Sequence, residues 1–325
     1  TDISNSNDAT STGTISSTTA EVVDHSNGTW YSSVLEGIAN VSVNIINPNL
    51  VTVGSGFLSN ISYFILDSTG KSVTDLIETK DALNLSLNIP IKDLDLNSGN
   101  DTFQLTGSVG SSFNGGTGND SFYISLPDND IDGGDGIDTA VIGNSHDIFK
   151  FSKDGTKLII TSNIDGTKNS ISDIERIQFS DKAYALDING NAGAAAKAII
   201  ATFGAESLNA YMVPALSVVD GGMSLVQVCD LVVNNQLIES VIGSNSNGAF
   251  VDHVYENVVG VAPSQEDHDT FTALLDDGTY TKSSLLSLAA TLTESLVTAN
   301  SVDLIGVAGS ADGEILALQY DIGLG

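Results

Sequence analysis

Apolar residues recur in the first half of the chain with the periods expected of short strands. Alternating apolar and polar residues over 41–45 and 83–89 predict strands with one buried face. A longer-period row then follows, with steps of 10, 9, 9 and 9 residues, and its members are Phe103, Phe113, Phe122, Ile131 and Ala140. This row predicts a series of short strands that each bury one side chain and are separated by turns.

From about residue 190 the spacing of apolar residues becomes helical. The pattern of residues 194–204 returns at 250–260, an offset of 56 residues. Ser224 and Thr281 stand where the next helix of each copy would begin, and both are favourable N-cap residues. We therefore expect a helical domain over 190–325 built from a duplicated unit, with a glycine-rich tail after residue 300 that has little structure of its own.

The turns between the predicted strands carry a repeated motif. Residues 115–123 and 133–141 both match G-G-x-G-x-D-x-U-x, where U is apolar. Asp120 and Asp138 are 18 residues apart, which is two nonapeptides. The nonapeptide between them, 124–132, is degenerate and has asparagine at the aspartate position. A chance match to one motif is plausible, but a row of five positions in register is not.

This motif has a direct chemical interpretation. Glycines permit a tight turn whose carbonyls point inward, and the aspartate adds a carboxylate. Calcium is a hard cation that takes about six to eight oxygen ligands. Because one coil has 18 residues, Asp101, Asp120 and Asp138 fall on the same edge. We expect two calcium sites there, one between the 97–101 and 115–120 turns and one between the 115–120 and 133–138 turns.

The candidate calcium ligands lie in these three turns. They are Asn97, Gly99, Asp101, Gly115, Gly116, Thr117, Gly118, Asp120, Gly133, Gly134, Asp135, Gly136 and Asp138. The opposite edge has Ser111 and Asn129 at the aspartate positions, so we expect weak binding there unless Asp128, Asp130 or Asp132 contributes. The alternative interpretation is a plain loop segment rich in Asn, Gly and Asp.

Charge and cysteine content narrow the class of protein. The chain has 41 acidic and 11 basic residues and a net charge of −30, which excludes phosphate-contacting nucleic-acid binders and disfavours anionic membranes. The single cysteine, Cys229, excludes an internal disulfide framework and lies in an apolar run. No run of about 18 apolar residues indicates a transmembrane segment.

Residues 96 to about 190 resemble the repeat-in-toxin (RTX) calcium-binding β-roll with its downstream cap, most specifically over 115–141. The segment 187–193 resembles the junction to a helical domain that often follows such rolls. The resemblance implies a mainly β fold, a parallel β-roll or β-solenoid with calcium turns, followed by a helical domain. It also implies type I secretion and folding on external calcium.

The resulting domain prediction has four parts. They are a Ser/Thr/Asn-rich β region with a mobile N-terminal segment (1–95), the calcium roll (96–148), a β cap (149–189) and the helical domain (190–325).

Catalytic motifs are sparse in this sequence. It contains neither H-E-x-x-H nor G-x-S-x-G. His253 and Glu256 could form a zinc or acid/base site, but a solvated helix face is the preferred interpretation. We expect a non-catalytic, secreted, calcium-binding protein of the bacterial surface that self-associates into a surface layer, filament or matrix, or forms part of an adhesin. The alternatives are the non-catalytic RTX part of a secreted hydrolase and a module that binds cell-surface glycan.

Overall fold

The chain forms two compact units, which are described separately. The computed structural model describes backbone and side chains of residues 99–103, 112–124, 128–305 and 314–322, and only strand backbone before residue 99 and at 104–105. Residues up to 181 form the first unit, and residues 182–308 with 314–325 form the second. The fold is mixed, with a β-rich region over about 100–185 and a helical C-terminal region.

The first unit is built from eighteen short strands within the described residues. These are β1 Ser11–Ser16, β2 Val22–His25, β3 Thr29–Ser32, β4 Ile38–Ile45, β5 Thr52–Gly54, β6 Gly56–Phe57, β7 Phe64–Leu66, β8 Ala82–Leu87, β9 Leu94–Asp95, β10 Thr102–Leu105, β11 Ser112–Asn114, β12 Ser121–Tyr123, β13 Asp130–Asp132, β14 Thr139–Val141, β15 Phe149–Asp154, β16 Lys157–Ser162, β17 Lys168–Ser172 and β18 Arg176–Gln178.

Successive strands alternate between two parallel ladders. The first ladder runs β8-β10-β12-β14-β18, and the second runs β6-β9-β11-β13-β17. At the outer end of the first ladder β4 pairs in parallel with β8, and β1 pairs antiparallel with β4. The chain therefore returns to the same ladder after every second strand, and the turns between strands stack along two edges.

The core of this unit lies between the two ladders. Each three-residue strand over 112–141 buries its central side chain. All five members of the apolar row are buried: Phe103, Phe113, Phe122, Ile131 and Ala140. The rings of Phe103 and Phe113, from different ladders, have centroids 4.1 Å apart. The five side chains of the apolar row therefore pack between the two ladders.

An antiparallel hairpin follows the last glycine turn. Strand β15 pairs with β16, and β16 pairs with β17, which then joins β13 in parallel. The rings of Phe149 and Phe151 pack on the buried Phe179, with centroids 5.5 and 6.1 Å apart. This hairpin, within the predicted cap, adds strands to the end of the second ladder.

The second unit contains eight α-helices and three strands among its described residues. They are β19 Ala183–Ala185, α1 Asn191–Phe203, α2 Leu208–Asp220, α3 Leu225–Asn234, α4 Leu237–Ile242, α5 Asn247–Val259, α6 Gln265–Asp276, α7 Lys282–Thr291, α8 Glu294–Ala299, β20 Val302–Asp303 and β21 Leu316–Tyr320.

Helices α5 to α8 follow the same order and nearly the same lengths as α1 to α4. Helices α1 and α5 have 13 residues each, and α3 and α7 have 10 each. Ser224 and Thr281 begin α3 and α7, each with a capping box in which its side chain accepts a backbone N–H. Helices α3 and α7 thus begin with the same local chemistry.

Helix α1 lies between two apolar clusters because its side chains are small. Ala196 and Ile200 pack in a cluster with residues of α2 and β21, whereas Ala201 packs with residues of α3, α5 and α7. Gly193 permits the close approach at the start of α1, because a Cβ there would collide with the Ile188 carbonyl. No helix among the described residues is long and apolar enough to cross a membrane.

The expectation that the chain has little structure after residue 300 is wrong for the described part of the tail. Strand β21 pairs antiparallel with β19 and β20, and it buries Leu318 and Tyr320. Its alternation was hidden by the surrounding glycines and small residues, and its partner strand lies more than 100 residues earlier in the chain.

We predict that Phe122→Ala lowers the free energy of unfolding of the β-rich unit by about 3–5 kcal/mol, because the ring is fully buried and leaves a cavity. The matched control is Tyr123→Ala in the same strand, whose side chain is 41% exposed. Denaturant unfolding followed by far-UV circular dichroism measures both. Equal losses in the two variants would contradict the placement of the core.

Candidate metal centre

The glycine motifs form turns that stack from one coil to the next. The turn 115–120 joins β11 to β12, and the turn 133–138 joins β13 to β14. Gly118 donates its N–H to the Asp135 carbonyl at 2.8 Å, and Asp135 donates to the Gly116 carbonyl at 2.7 Å. Gly118 has φ +129°, and a Cβ there would collide with the Gly99 carbonyl. The contact between stacked turns therefore requires glycine at this position.

Buried carboxylates link the coils on the inner side of these turns. Asp120 Oδ1 accepts the Asp101 N–H at 2.7 Å, and Asp138 Oδ1 accepts the Asp120 N–H at 2.8 Å. Glu175 Oε2 accepts the Asp138 N–H at 2.8 Å. Asp101, Asp120 and Asp138 are at most 3% exposed. The carboxylates of Asp120, Asp138 and Glu175 are thus each fixed by a backbone N–H of the preceding coil.

A second series of side-chain hydrogen bonds runs in the opposite direction on the outer side. Asn100 Oδ1 accepts the Asn119 N–H at 2.7 Å, and Asn119 Oδ1 accepts the Ile137 N–H at 3.0 Å. These amides are exposed. Together the two series hold each turn to the coils on both sides.

The second oxygens of two of these carboxylates have no hydrogen-bond partner. Asp120 Oδ2 and Asp138 Oδ2 are buried and accept no hydrogen bond. A Cβ added to Gly115 would lie within 3.0 Å of both Asp120 Oδ2 and the Gly133 carbonyl oxygen. A carboxylate oxygen and a carbonyl oxygen therefore converge on the same small space, which only a glycine leaves open.

This oxygen set fits a calcium ion. Calcium is bound by carboxylate and backbone carbonyl oxygens at about 2.3–2.6 Å in flexible geometry. A buried, ionised carboxylate oxygen without a partner is costly unless a cation compensates it. Among the described residues no three His, Cys, Asp or Glu side chains form a metal-binding group, so a site here would use mixed carboxylate and backbone donors.

The same burial changes the acidity of the two carboxyl groups. Burial raises the pKa of Asp120 from its ordinary 3.8 to about 7, although the Asp101 N–H opposes the shift. Burial likewise raises the pKa of Asp138 to about 7, and the charges of Asp120, Glu175 and Asp132 add to the effect. Without a cation, the protein thus holds these groups in an environment that disfavours their charge.

The structure brings nearly all the predicted ligand residues to one edge. Of the predicted residues, Gly99, Asp101, the 115–120 turn and the 133–138 turn lie in the stack, whereas Asn97 lies outside the described residues. Thr117 and Asp135 form a parallel bridge through their backbones and have exposed side chains. Their side chains therefore do not face the space lined by Asp120 and Asp138.

The opposite edge is held by amides and a lysine. Asn169 Oδ1 accepts the N–H of the buried Asn129 at 3.0 Å. Asp130 is one of the three aspartates that the sequence offered as ligands at this edge. It accepts hydrogen bonds from Lys157 and Ser170. Partial burial raises the pKa of Asp130, but these two donors outweigh it and lower the pKa below its ordinary value. A cation is thus already supplied there by the chain.

Two residues that face this site were missed by sequence reasoning. Asp173 and Glu175 belong to a turn between β17 and β18 that contains no glycine and does not match the motif. Its only sequence signal was an acidic pair next to Arg176. The position of this turn depends on the hairpin before it, which the nine-residue period does not encode.

Other groups with chemical potential have structural partners. His253 Nε2 is 2.8 Å from the Thr202 carbonyl, and Asn257 donates to the Ala201 carbonyl. Cys229 is buried, and burial raises the pKa of its thiol to about 12. The two hydrogen bonds connect helices α1 and α5, and among the described residues no group of three His, Cys, Asp or Glu side chains forms a metal site around His253.

The helical unit also contains an apolar cleft that is partly open to solvent. It lies among α5, α6 and α7, and its lining includes Val251, Val258, Phe271, Leu285 and Leu292. Tyr255, also in the lining, donates its hydroxyl to Asp267 at 3.2 Å. The cleft presents no nucleophile with an adjacent base.

Comparison with known proteins yields little similarity. No protein-family model matches the chain, and the search of curated proteins finds no significant match. Among solved structures, the extracellular lipase LipA from Serratia marcescens matches with 13% identity and a TM-score of 0.22, over 42% of this chain and 22% of the lipase. At that TM-score the match carries no argument about fold or activity.

We predict that, in chelator, acidification from about pH 8 to about pH 5 stabilises the β-rich unit. The pKa values of Asp120 and Asp138 are about 7 in the folded chain and 3.8 as ordinary values. A raised folded pKa destabilises the fold above pH 7, and this cost disappears as the pH falls towards 3.8. The far-UV strand signal of the chelated full-length chain, followed by circular dichroism from pH 8 to pH 5, measures the trend, which should be weaker in Asp120→Asn. Stability that falls with acidification over this range would contradict the prediction.

Proposed function

We propose that this chain is a secreted, non-catalytic, calcium-stabilised structural protein of the bacterial cell surface, and that its two-ladder region is a calcium-binding β-roll. One observation carries the proposal. Asp120 and Asp138 each bury a carboxylate oxygen that has no hydrogen-bond partner. Each of these oxygens faces a glycine of its own turn and a carbonyl oxygen of the next coil.

The charge of the chain supports coupling between folding and the ion. Asp101, Asp120 and Asp138 are buried in a molecule of net charge −30, so negative charges repel one another in the folded roll. Calcium, when bound, would supply positive charge and bridging coordination between coils. A ligand that binds only the folded state stabilises that state by mass action.

The same coupling suits export. At low calcium the roll would stay unfolded, the state in which a chain passes through a type I secretion channel, as the RTX resemblance implies. Outside the cell, Asp120 and Asp138 would be compensated and the turns would stack. The side chains of the roll thus act as a switch between an exportable and a folded chain, without a catalytic group.

Self-association is the second part of the proposal. Strand β1 lies at one edge of the sheet that contains the first ladder, and β15 lies at one edge of the sheet that contains the second ladder. Exposed Lys150 on β15 disfavours strand addition there, because edge lysines oppose pairing. We therefore place the contact between subunits at β1, where strand addition would give a head-to-tail, non-closing assembly.

We expect calcium to restore the strand signal of the chelated full-length chain in far-UV circular dichroism. Gly115→Ala should require at least about tenfold more calcium, since its Cβ fills the space between Asp120 Oδ2 and the Gly133 carbonyl. Gly143→Ala is the matched control, because nothing lies within 4 Å of its Cβ and the position does not require positive φ.

Two outcomes of this titration would overturn the calcium proposal. One is a full strand signal in chelator that calcium does not change. The other is an equal calcium requirement for Gly115→Ala and Gly143→Ala. Hydrolytic activity of the calcium-loaded chain, or retained glycan binding by a chain that does not assemble, would favour the alternative functions instead.

We further predict that deletion of residues 1–19 abolishes ordered assemblies in electron micrographs taken with calcium present. The deletion removes β1, the strand at the end of the sheet order. The chelated full-length chain serves as the unassembled control. Assembly that proceeds unchanged after the deletion would rule out the β1 contact while leaving calcium-dependent folding intact.

A further inference from the structure

The coil that ends the glycine turns keeps the strand register but shortens the turn. Strand β17 pairs Ser172 with Asp132, and β18 pairs Arg176 with Thr139. Between these pairs, the coil of β13 and β14 has the six-residue turn 133–138. The next coil, that of β17 and β18, has only the three-residue turn 173–175. Both ladders thus continue into the cap without a G-G-x-G-x-D motif.

This short turn still presents the oxygens that the glycine turn presents. A Cβ added to Gly133 would lie 2.6 Å from Asp138 Oδ2 and even closer to the Asp173 carbonyl oxygen. Asp138 is 0% exposed, and its Oδ2 has no hydrogen-bond partner. The arrangement repeats the one at Gly115, with the Asp173 carbonyl in the place of the Gly133 carbonyl.

The backbone of the short turn is shaped for this role. Asp173 has φ +48°, a left-handed conformation that aspartate tolerates better than most residues. The N–H groups of Glu175 and Arg176 both donate to the Asp138 carbonyl, at 3.1 and 2.9 Å. The turn is therefore fixed directly on the residue whose carboxylate faces the space.

Negative charge is concentrated around the same space. Glu175 Oε2 accepts the Asp138 N–H at 2.8 Å and so occupies the place of the next aspartate in the carboxylate series. The charges of Glu175 and Asp132 both act on Asp138, and Asp132 in turn interacts with Asp173. The guanidinium of Arg176 donates to the Glu175 carbonyl at 2.9 Å.

We propose that Asp138 Oδ2 and the Asp173 carbonyl form a further calcium site, which the cap closes in place of a third glycine turn. The inference rests on the proposed calcium-binding function and adds to it a ligand from outside the RTX motif. The mixed, irregular donor set favours calcium over magnesium, which demands near-ideal octahedral geometry. Calcium binding there would fasten the cap to the last glycine turn.

The test counts the calcium ions bound by the full chain, with isothermal titration calorimetry and equilibrium dialysis. Asp138→Asn keeps the acceptor for the Asp120 N–H but removes the charge, and Gly133→Ala fills the same space from another residue. Each should bind one ion fewer than the wild type. The controls, Gly143→Ala and the exposed Asp154→Asn, should bind the wild-type number.

Hydrogen exchange locates the lost ion. Calcium should slow amide exchange over residues 172–178 at least about tenfold in the wild type and in Asp120→Asn, but not in Asp138→Asn. Exchange over 172–178 that responds to calcium equally in Asp138→Asn and the wild type would overturn the cap site. So would a wild-type ion count in both Asp138→Asn and Gly133→Ala.

The same measurements separate this inference from the proposed function. If the wild type binds no calcium, the proposed function fails and the cap site fails with it. If Asp120→Asn loses an ion while Asp138→Asn and Gly133→Ala do not, calcium binding stands and only the cap site is wrong.

Discussion

The β-rich unit depends on one repeated interaction, the hydrogen bond that a backbone N–H of one coil donates to a buried carboxylate oxygen of the next coil. Asp120 and Asp138 both make it, at 2.7 and 2.8 Å. It fixes the distance between coils and draws the carboxylate out of water. Its consequence is a second oxygen that is buried without a partner, so the interaction that orders the stack also creates a requirement for positive charge.

The two edges of the stack meet that requirement differently. On one edge the chain supplies the cation, because Lys157 from the hairpin contacts Asp130, and Asn129 and Asn169 replace a carboxylate pair with neutral amides. On the other edge, the charges that shift the pKa values of Asp120 and Asp138 are those of neighbouring carboxylates. The first edge is therefore complete with the chain's own groups, whereas the second is suited to an external ion.

Periodic features of this fold could be predicted from the sequence, and non-periodic ones could not. A nine-residue repeat predicts that Phe113 and Phe122 are buried and that the two glycine turns stack. It does so because each repeat places the same residue types at the same positions of a strand and a turn. The Asp173–Glu175 turn breaks that period and is positioned by a hairpin. Strand β21 pairs with a distant partner, and no local pattern encodes such a pairing.

The helical unit differs from the β-rich unit in the polar groups that it buries, because no Asp or Glu is among the buried residues of its described part. Its two clusters bury Ile200, Phe250 and Leu286 among other apolar side chains, and the buried thiol of Cys229 is neutral at ordinary pH. Apolar burial of this kind stabilises helices without an ion. The three-residue strands of the roll bury one side chain each and add buried carboxylates. If calcium binds as we propose, its effect on stability would therefore fall on the unit that buries carboxylates.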